Sequence, residues 1–340
     1  MAMSGGVDSS VAAFLLKEGG NECTGCYMIL NEYITEDGAT DAEAIADKLG
    51  ITFTTTKFEK EFEEKVLEYF TSDYLSGKTP NPCVECNKHI KFGALLDYTV
   101  NSGFDKLATG HYARIEKEGN RFYLKKAADL SKDQSYFLYG LSQEQLSKVV
   151  FPLGDYVKED IRKIAEEQGF VNAHKKDSQD ICFVPEGKYA QVIEKKCADL
   201  PPEGKFVAKD GRVLGTHKGI HRYTFGQRKG LGISADRPLY VIDINTKTNE
   251  VVLGDNEDLF VTKVKVKNVN WIKDKSGDKS FRAKARLRYC HKEQPATIEI
   301  IGEDTIMIVF DEPQRAATKG QSAVVYDGDY VICGGIIESD

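Results

Sequence analysis

Ser4-Gly5-Gly6-Val7-Asp8-Ser9-Ser10 stands near the start of the chain, and apolar residues follow it in helical spacing at Val11, Ala12, Phe14 and Leu15. Two glycines let the backbone turn tightly and approach a ligand with no Cβ in the way. Three hydroxyls and a carboxylate surround them. The pattern predicts a loop opening into a helix that runs to about Glu18. The first-turn N–H groups and the positive end of the helix dipole would then face an anion. No lysine follows Gly6, so the loop is not the Walker type that grips a γ-phosphate. A serine-rich turn that only caps a helix is the plainer reading of the same residues. In α/β folds such a loop follows a buried strand, yet only Met1, Ala2 and Met3 precede it. The expectation is either a very short strand or a chain that starts at an internal methionine of a longer product.

A chain of 340 residues suits two or three domains. Its best apolar run, Ile306 to Phe310, is far too short to span a membrane, and no secretory leader opens it, which predicts a cytoplasmic protein. The eight cysteines are then expected as reduced thiols with packing, redox or metal roles. A net charge of −7 argues mildly against nucleic acid, but the charge is uneven. Between Val261 and Ile300 eleven Lys or Arg face four Asp or Glu. An acidic half joined to a basic half suits RNA binding, although a solvated strand face would carry the same charges.

From Ser4 to about Val150 short apolar runs alternate with helical patterns, which predicts a parallel sheet with helices on both faces. Strands are expected at Cys23 to Leu30, Ile51 to Phe58 and Lys106 to Tyr112. Helices are expected at Asp41 to Leu49, Glu59 to Tyr74, Ile90 to Val100, Gln143 to Val149, Lys158 to Gly169 and Gly187 to Cys197. The two prolines between Gly77 and Asn87 read as a loop, and Arg114 to Lys126 as a hairpin turning at Gly119. After Pro201, Pro202 and Gly204 the pattern changes to short β-branched strands between glycine and aspartate turns. Lys205 to Gly254 is small and glycine-rich, and Leu259 to Ile337 reads as a barrel or sandwich. The expected domains are 1–198, 199–257 and 258–340.

Thr79-Pro80-Asn81-Pro82-Cys83-Val84-Glu85-Cys86-Asn87 is the second strong signal. It places two thiols three apart beside Lys88 and His89, just before a helix, a setting that favours thiolate. The third is Asp177-Ser178-Gln179-Asp180-Ile181-Cys182-Phe183, a distant cysteine in a polar segment. Cys197, Cys290 and Cys333 are assigned to packing. Cys23 and Cys26 with Cys83 and Cys86 formally make a zinc pattern, but the first pair straddles a strand rather than a knuckle. Cys83, Cys86 and Cys182 suit either an iron–sulfur cluster with one open iron or direct persulfide and disulfide chemistry. The second is preferred.

Taken together, SGGVDSS (4–10), TPNPCVECN (79–87), ATGHY (108–112), SKDQSYFL (131–138), DSQDICF (177–183), YTFGQRKGLGI (223–233), ARLRY (285–289), DEPQRAATKGQSAV (311–324) and CGGII (333–337) resemble, in order and spacing, the tRNA 2-thiouridylase family. The first motif alone is similar only to the loop of ATP pyrophosphatases. The resemblance implies an α/β fold: an N-terminal Rossmann-like parallel sheet of the pyrophosphatase type, a small central domain and a C-terminal β-barrel that binds tRNA. It implies adenylation of a wobble uridine at its 2-oxygen, release of AMP and pyrophosphate, and replacement of that oxygen by sulfur. The cofactors implied are ATP and Mg²⁺. The partners are tRNA and a persulfide-carrying sulfur donor protein, with no membrane and a monomeric chain.

Carried over position by position, the resemblance places ATP against Ala2, Met3, Ser4, Gly5, Gly6, Val7, Asp8, Ser9, Met28 and Gly110. Cys86 becomes the nucleophile and Cys182 the persulfide carrier. Asn81, Pro82 and Cys83 lie beside the target base, while His111, Lys132, Asp133, Gln134, Arg288, Tyr289 and Gln321 touch the tRNA. Cys83 stands where many members have aspartate, and the stretch from Leu30 to Asp41 is shorter than usual. On the residues alone His111 reads equally as scaffold, and Tyr223 to Gly232 as a structural turn. No metal site is assigned; Asp8 is expected to assist a magnesium ion accompanying ATP, and the three cysteines would be ligands only if a cluster were used. Arg286 and Arg288 are expected on one strand face for phosphate contact and stacking beside Tyr289. An ATP-dependent amide ligase would use the same loop but needs neither the separated thiols nor the basic barrel. An RNA-binding or iron–sulfur scaffold would leave the loop without a purpose.

Overall fold

Residues 1–3 form a very short rung in a parallel sheet. In the computed structural model, which describes residues 1–31, 36–175, 181–184, 188–274 and 277–338, Ala2 bridges Cys26 in parallel. The Met3 N–H donates to the Cys26 carbonyl and the Ala2 N–H to Ala108, both at 2.8 Å. The strand expected ahead of the loop is therefore present, reduced to a single bridge. Chain contacts divide the molecule into two units.

The first unit comprises residues 1–66, 83–185 and 328–331. After the loop comes helix α1 (Val7–Glu18), then strand β1 (Thr24–Ile29), helix α2 (Glu36–Leu49) and strand β2 (Thr52–Lys57). Strand β3 (Leu107–Ala108) is shorter than the sequence suggests, and the hairpin β4 (Ala113–Glu118) and β5 (Arg121–Lys126) turns at Gly119 as expected. Strand β6 (Val149–Val150) pairs in parallel with β3, as β2 does with β1. Val11, Ala12, Ile45, Ala46, Ile161 and Ala165 are fully buried in one cluster, so α1, α2 and helix Lys158–Glu167 share an apolar core. Burying six such side chains supplies the drive that fixes the helices on the sheet.

Three readings of the sequence need correction in this region. The segment expected as a loop to Asn87 turns helical at Pro82–Glu85 and continues as a π-helix over Cys86–Ala94, then as α-helix over Leu95–Asn101. Proline at the first helical position loses no hydrogen bond, so Pro82 starts the helix rather than blocking it. The helix expected at Glu59 to Tyr74 likewise carries a π turn, at Glu63–Leu67. Helix α2 opens several residues earlier than Asp41.

The second unit comprises residues 67–82, 186–327 and 332–340. It contains a four-stranded sheet of β7 (Gly204–Ala208), β8 (Val213–His217), β9 (Tyr240–Asn245) and β10 (Glu250–Gly254), in the order β8-β7-β10-β9. Phe206, Val241 and Val251 are fully buried at its centre. The remaining strands are β11 (Phe260–Trp271), β12 (Ser280–Arg286), β13 (Gln294–Ile300), β14 (Ile306–Arg315), β15 (Ser322–Asp327) and β16 (Tyr330–Glu338). They run β11-β14-β13-β12-β15-β16, and β16 closes on β11 from Lys265 opposite Glu338 to Trp271 opposite Cys333. The result is a closed six-stranded barrel filled by Val266, Ile298, Ile306, Ile308 and Val325. Alternation of buried and half-buried residues along Ile306–Phe310 is what closure around a side-chain core requires.

Candidate active site

Ser4 to Ser9 sit where the short rung ends and α1 begins. Gly6 caps the helix with no side-chain hydrogen bond, so no capping side chain takes the first-turn N–H groups. The hydroxyls brace the loop instead: Ser9 Oγ accepts from the Ser4 N–H at 3.1 Å and donates to the Gly6 carbonyl at 3.0 Å, and Ser10 Oγ donates to the same carbonyl at 3.1 Å. Gly5 has φ +70° and packs its α-carbon against the Gly38 backbone, where a Cβ would lie 2.3 Å from the carbonyl oxygen. The product is a braced loop at the carboxyl end of a parallel sheet, the usual ligand position in open α/β folds, with geometry suited to an anion.

Met28 lies near the carboxyl end of β1, and Gly110 follows β3 and abuts the loop backbone at Asp8 and Ser9. Both residues expected at a nucleotide thus share this end of the sheet. Ala2 and Met3 use their N–H groups in the sheet, and Met3 is buried, so they position the loop. Asp8 Oδ1 accepts hydrogen bonds from Tyr112 Oη at 2.8 Å and Lys158 Nζ at 2.6 Å. Asn172 Nδ2 donates to the Gly5 carbonyl and to Ser10 Oγ, and Lys175 Nζ to the Gly5 carbonyl and Asp41. Sequence reasoning missed Tyr112, Lys158, Asn172 and Lys175, whose separation from the loop leaves no local signal.

The second cluster contains the thiols. All eight cysteines are free. Cys83 is half-buried in the first helical turn and Cys86 is buried at the start of the π-helix. Cys182 is an exposed residue, and the Asp177 to Asp180 part of its motif lies outside the described residues. Burial pushes the Cys83 thiol up to about 11, with Cys182 adding to the rise and Lys91 opposing it. Burial pushes Cys86 up to about 12; Lys91 again opposes, and the other two thiols raise it further. Cys182 is also raised by desolvation and lowered by Lys91. Three thiols and one ammonium group therefore sit close enough to act on one another's charge.

The π-helix explains the place of Lys91. Its hydrogen bonds run from i to i+5, and the wider turn leaves a smaller angle about the axis between Cys86 and Lys91. At roughly 100° per residue, an α-helix would leave a residue five positions on about 140° around the axis. Lys91 Nζ also lies 3.4 Å from His111 Nε2, and Thr109 Oγ1 is 2.6 Å from His111 Nδ1. His111 is buried between Phe92 and Phe151, and desolvation, then Lys91, holds its ring well below the usual histidine range. A neutral, enclosed imidazole fits the scaffold reading of this residue. Among the described residues no group of three His, Cys, Asp or Glu side chains is gathered to hold a metal ion.

The other expected contact residues divide by environment. Asp133 is buried and accepts from the Ala127 and Ser135 N–H groups and Ser135 Oγ, while Gln134 pairs with the Tyr112 backbone. Both are structural ties, and Lys132 beside them stays half-exposed. Asn81 and Pro82 are buried in the second unit, whose boundary with the first falls at Cys83. In that unit Gln321 Nε2 donates to the Thr79 and Pro80 carbonyls at 3.0 and 2.9 Å, and the Thr79 N–H donates to Lys319. Arg288 donates to Thr318 Oγ1, and Tyr289 is exposed. Strand β12 ends at Arg286, so the two arginines do not share a strand face. Arg286 instead meets Glu293 and lies over the Tyr326 ring. Several charges of the basic segment are likewise paired, notably Lys267 with Glu338 and Arg282 with Asp311. Cys290 is exposed, contrary to the packing role expected, whereas Cys333 is fully buried.

Comparison with known proteins extends over the whole chain. Residues 1–186 match the family described as tRNA methyl transferase HUP domain, 191–255 the tRNA methyl transferase PRC-barrel domain, and 261–337 the aminomethyltransferase beta-barrel domain. The chain is 50% identical to tRNA-specific 2-thiouridylase MnmA of Clostridioides difficile, covering 99% of this chain and 97% of that protein. It is 49% identical to tRNA-specific 2-thiouridylase MnmA 2 of Clostridium botulinum strain Loch Maree, with the same coverage. No helix among the described residues is long and apolar enough to cross a membrane. With an uncapped anion loop, a mutually interacting set of thiols and relatives of this identity along its full length, the chain belongs to the tRNA-specific 2-thiouridylase family.

Proposed function

We propose that this protein makes 2-thiouridine at the wobble position of tRNA, using ATP to activate the base and a cysteine persulfide to deliver sulfur. The observation that carries this reading is the pairing, within one unit, of a braced anion loop with thiols on two separate segments. The uridine 2-oxygen is a poor leaving group. Its attack on the α-phosphorus of ATP forms an O–P bond and expels pyrophosphate. First-turn N–H groups of α1 would receive that charge as it develops. Asp8 is the carboxylate that would hold a magnesium ion with the phosphates, adding positive charge there.

Sulfur then arrives as a persulfide on Cys182. Its outer sulfur bonds to C2 as AMP departs, and Cys86 attacks the Cys182 sulfur. A Cys86–Cys182 disulfide forms, the 2-thio base is freed, and a thiol reductant must restore both cysteines. Burial holds Cys86 as a thiol, and the Lys91 charge opposes this by favouring loss of the proton. In this reading residues 1–198 catalyse, 199–257 form a small central domain, and 258–340 bind tRNA through Arg288 and Tyr289. Asn81, Pro82 and Cys83 lie beside the base.

The test is nucleoside mass analysis of tRNA treated with cysteine variants, alongside AMP release. Cys86→Ser and Cys182→Ser should each abolish thiolation while adenylation survives, and Cys83→Ser should keep substantial thiolation. Complete loss in Cys83→Ser, with stoichiometric iron in anaerobically purified protein, would replace the persulfide route by a cluster.

A further inference from the structure

Thr79 to Pro82 is a stiff piece of chain. Pro80 and Pro82 each have φ fixed by their rings, so a shift imposed at Thr79 reaches Asn81 with little slack. What fixes Thr79 is the turn at 316–321, between β14 and β15. The Thr79 N–H donates to the Lys319 carbonyl at 2.8 Å, and Gln321 Nε2 donates to the Thr79 and Pro80 carbonyls at 3.0 and 2.9 Å. An amide nitrogen has two protons, and these two carbonyls use both. Gly320, at φ +86°, lies so near that an added Cβ would stand 2.9 Å from the Thr79 oxygen.

The turn is itself braced from within. Thr318 is 1% exposed; its Oγ1 donates to the Ala316 carbonyl at 3.0 Å and accepts from Arg288. The Gln321 N–H donates to the Thr318 carbonyl at 3.1 Å. Ile337 of β16 ties the turn to the barrel, accepting from the Gly320 N–H at 3.0 Å and donating to the Gln321 carbonyl at 2.8 Å. All of these residues belong to the second unit. Arg288, read as an RNA contact, and Asn81 and Pro82, read as flanking the target base, are thus joined through one hydroxyl, one turn and one amide. We infer that Thr318 and Gln321 are positioning residues, which set the base-flanking segment relative to the barrel's RNA contact. This rests on the roles proposed above for Arg288, Asn81 and Pro82, and it gives Gln321 a task other than the tRNA contact that the resemblance implies. Both residues act through the segment they hold. Their effect falls on the step in which the uridine 2-oxygen meets the α-phosphorus, where reacting atoms must come within about 3–3.5 Å.

The test uses the full chain as wild type, Thr318→Val, Thr318→Ser and Gln321→Ala. It measures the tRNA dissociation constant and the single-turnover rate of AMP formation at saturating tRNA and ATP. Misplacement of the base by about 1 Å predicts a rate about 10- to 100-fold lower in the valine and alanine variants, with tRNA affinity and the serine variant's rate each within about threefold of wild type. An unchanged rate overturns the inference, because nothing was being positioned. Affinity that weakens while the saturated rate holds also overturns it, because that marks plain RNA contacts. Hydrogen exchange gives a second readout that needs no turnover. The Thr79 amide should exchange faster in the valine and alanine variants, and bound tRNA should slow it in wild type and Thr318→Ser but not in Thr318→Val. Exchange at Thr79 that ignores both the substitutions and tRNA refutes the role. A wild type that binds tRNA yet forms no AMP sinks the activation reading instead, and exchange then decides the positioning alone. Should Thr318→Val not fold, Gln321→Ala carries the same measurements.

Discussion

Gly110→Ala should damage the loop by crowding its backbone, while removing no charged or hydrogen-bonding group. Gly110 does not adopt positive φ, so its backbone would accept alanine; the obstacle is space. A Cβ there would lie 2.9 Å from the Ser9 nitrogen, 3.0 Å from the Asp8 carbonyl carbon and 3.1 Å from the Ser9 α-carbon. Ordinary contact begins at 3.4 Å, so the two backbones must part by about half an ångström. Neither side can yield by rotating a side chain. Overpacking of this kind costs about 1–3 kcal/mol of stability. The larger effect should fall on binding, because the first-turn N–H groups would no longer converge on the phosphates, and a loss of about tenfold or more in ATP affinity is expected. Urea unfolding gives the first quantity and calorimetric ATP titration the second. Gly277→Ala is the control, since no atom lies within 4 Å of its added Cβ. A Gly110→Ala protein with wild-type stability and wild-type ATP affinity would refute the argument that this glycine exists to admit the loop.

Gln321→Ala removes two hydrogen bonds to the Thr79 and Pro80 carbonyls and should lower stability by about 1–3 kcal/mol, read by urea unfolding; an unchanged midpoint would mean water replaces the amide at no cost. Cys86 is held protonated by burial, so its contribution is complete below pH 9 and is lost as pH rises toward about 12; Cys86→Ala should flatten the alkaline limb of a stability–pH curve. His111 behaves in the opposite sense. Its ring is kept neutral, so stability present above pH 6.5 is lost as pH falls through its lowered value, and His111→Gln should give a shallower acid limb. Alkylation followed by peptide mass analysis should label exposed Cys290 well before buried Cys86 and Cys333, and equal rates would contradict the burial seen here.

What could be read from sequence depended on whether the cause was local. The loop at Ser4 to Ser10 was legible because glycine spacing, hydroxyls and an apolar helical run all act within a dozen residues. The C-terminal all-β region was legible from short β-branched strands between glycine and aspartate turns, whereas those residues alone did not separate a barrel from a sandwich, because closure depends on the pairing of β16 with β11. The cysteine segment was misread because Pro80 and Pro82 look like punctuation, although Pro82 occupies the one helical position that tolerates it. The π register at Cys86 was invisible, since its apolar residues fit an α-helix as well, and the position of Lys91 went with it. Asp133 and Gln134 entered through the family resemblance as tRNA contacts, and their hydrogen bonds to Ala127, Ser135 and Tyr112 could not be read from the sequence because they form only once the hairpin folds back. Lys158 could not be found by any window, because Asp8 reaches it through tertiary packing alone.

The widened helix at Cys86–Ala94 also makes this segment sensitive to its own length. A π turn amounts to one residue more than an α-helix would use over the same rise. Losing a single residue between Asn87 and Ile90 would let the helix relax to α geometry and turn everything beyond it by roughly 100°. The lysine would swing off the cysteine face, and Phe92 would leave the aromatic cluster around His111. The interval between Cys86 and Lys91 is therefore a fixed count, and a one-residue deletion there would do more harm than replacing any exposed side chain along it.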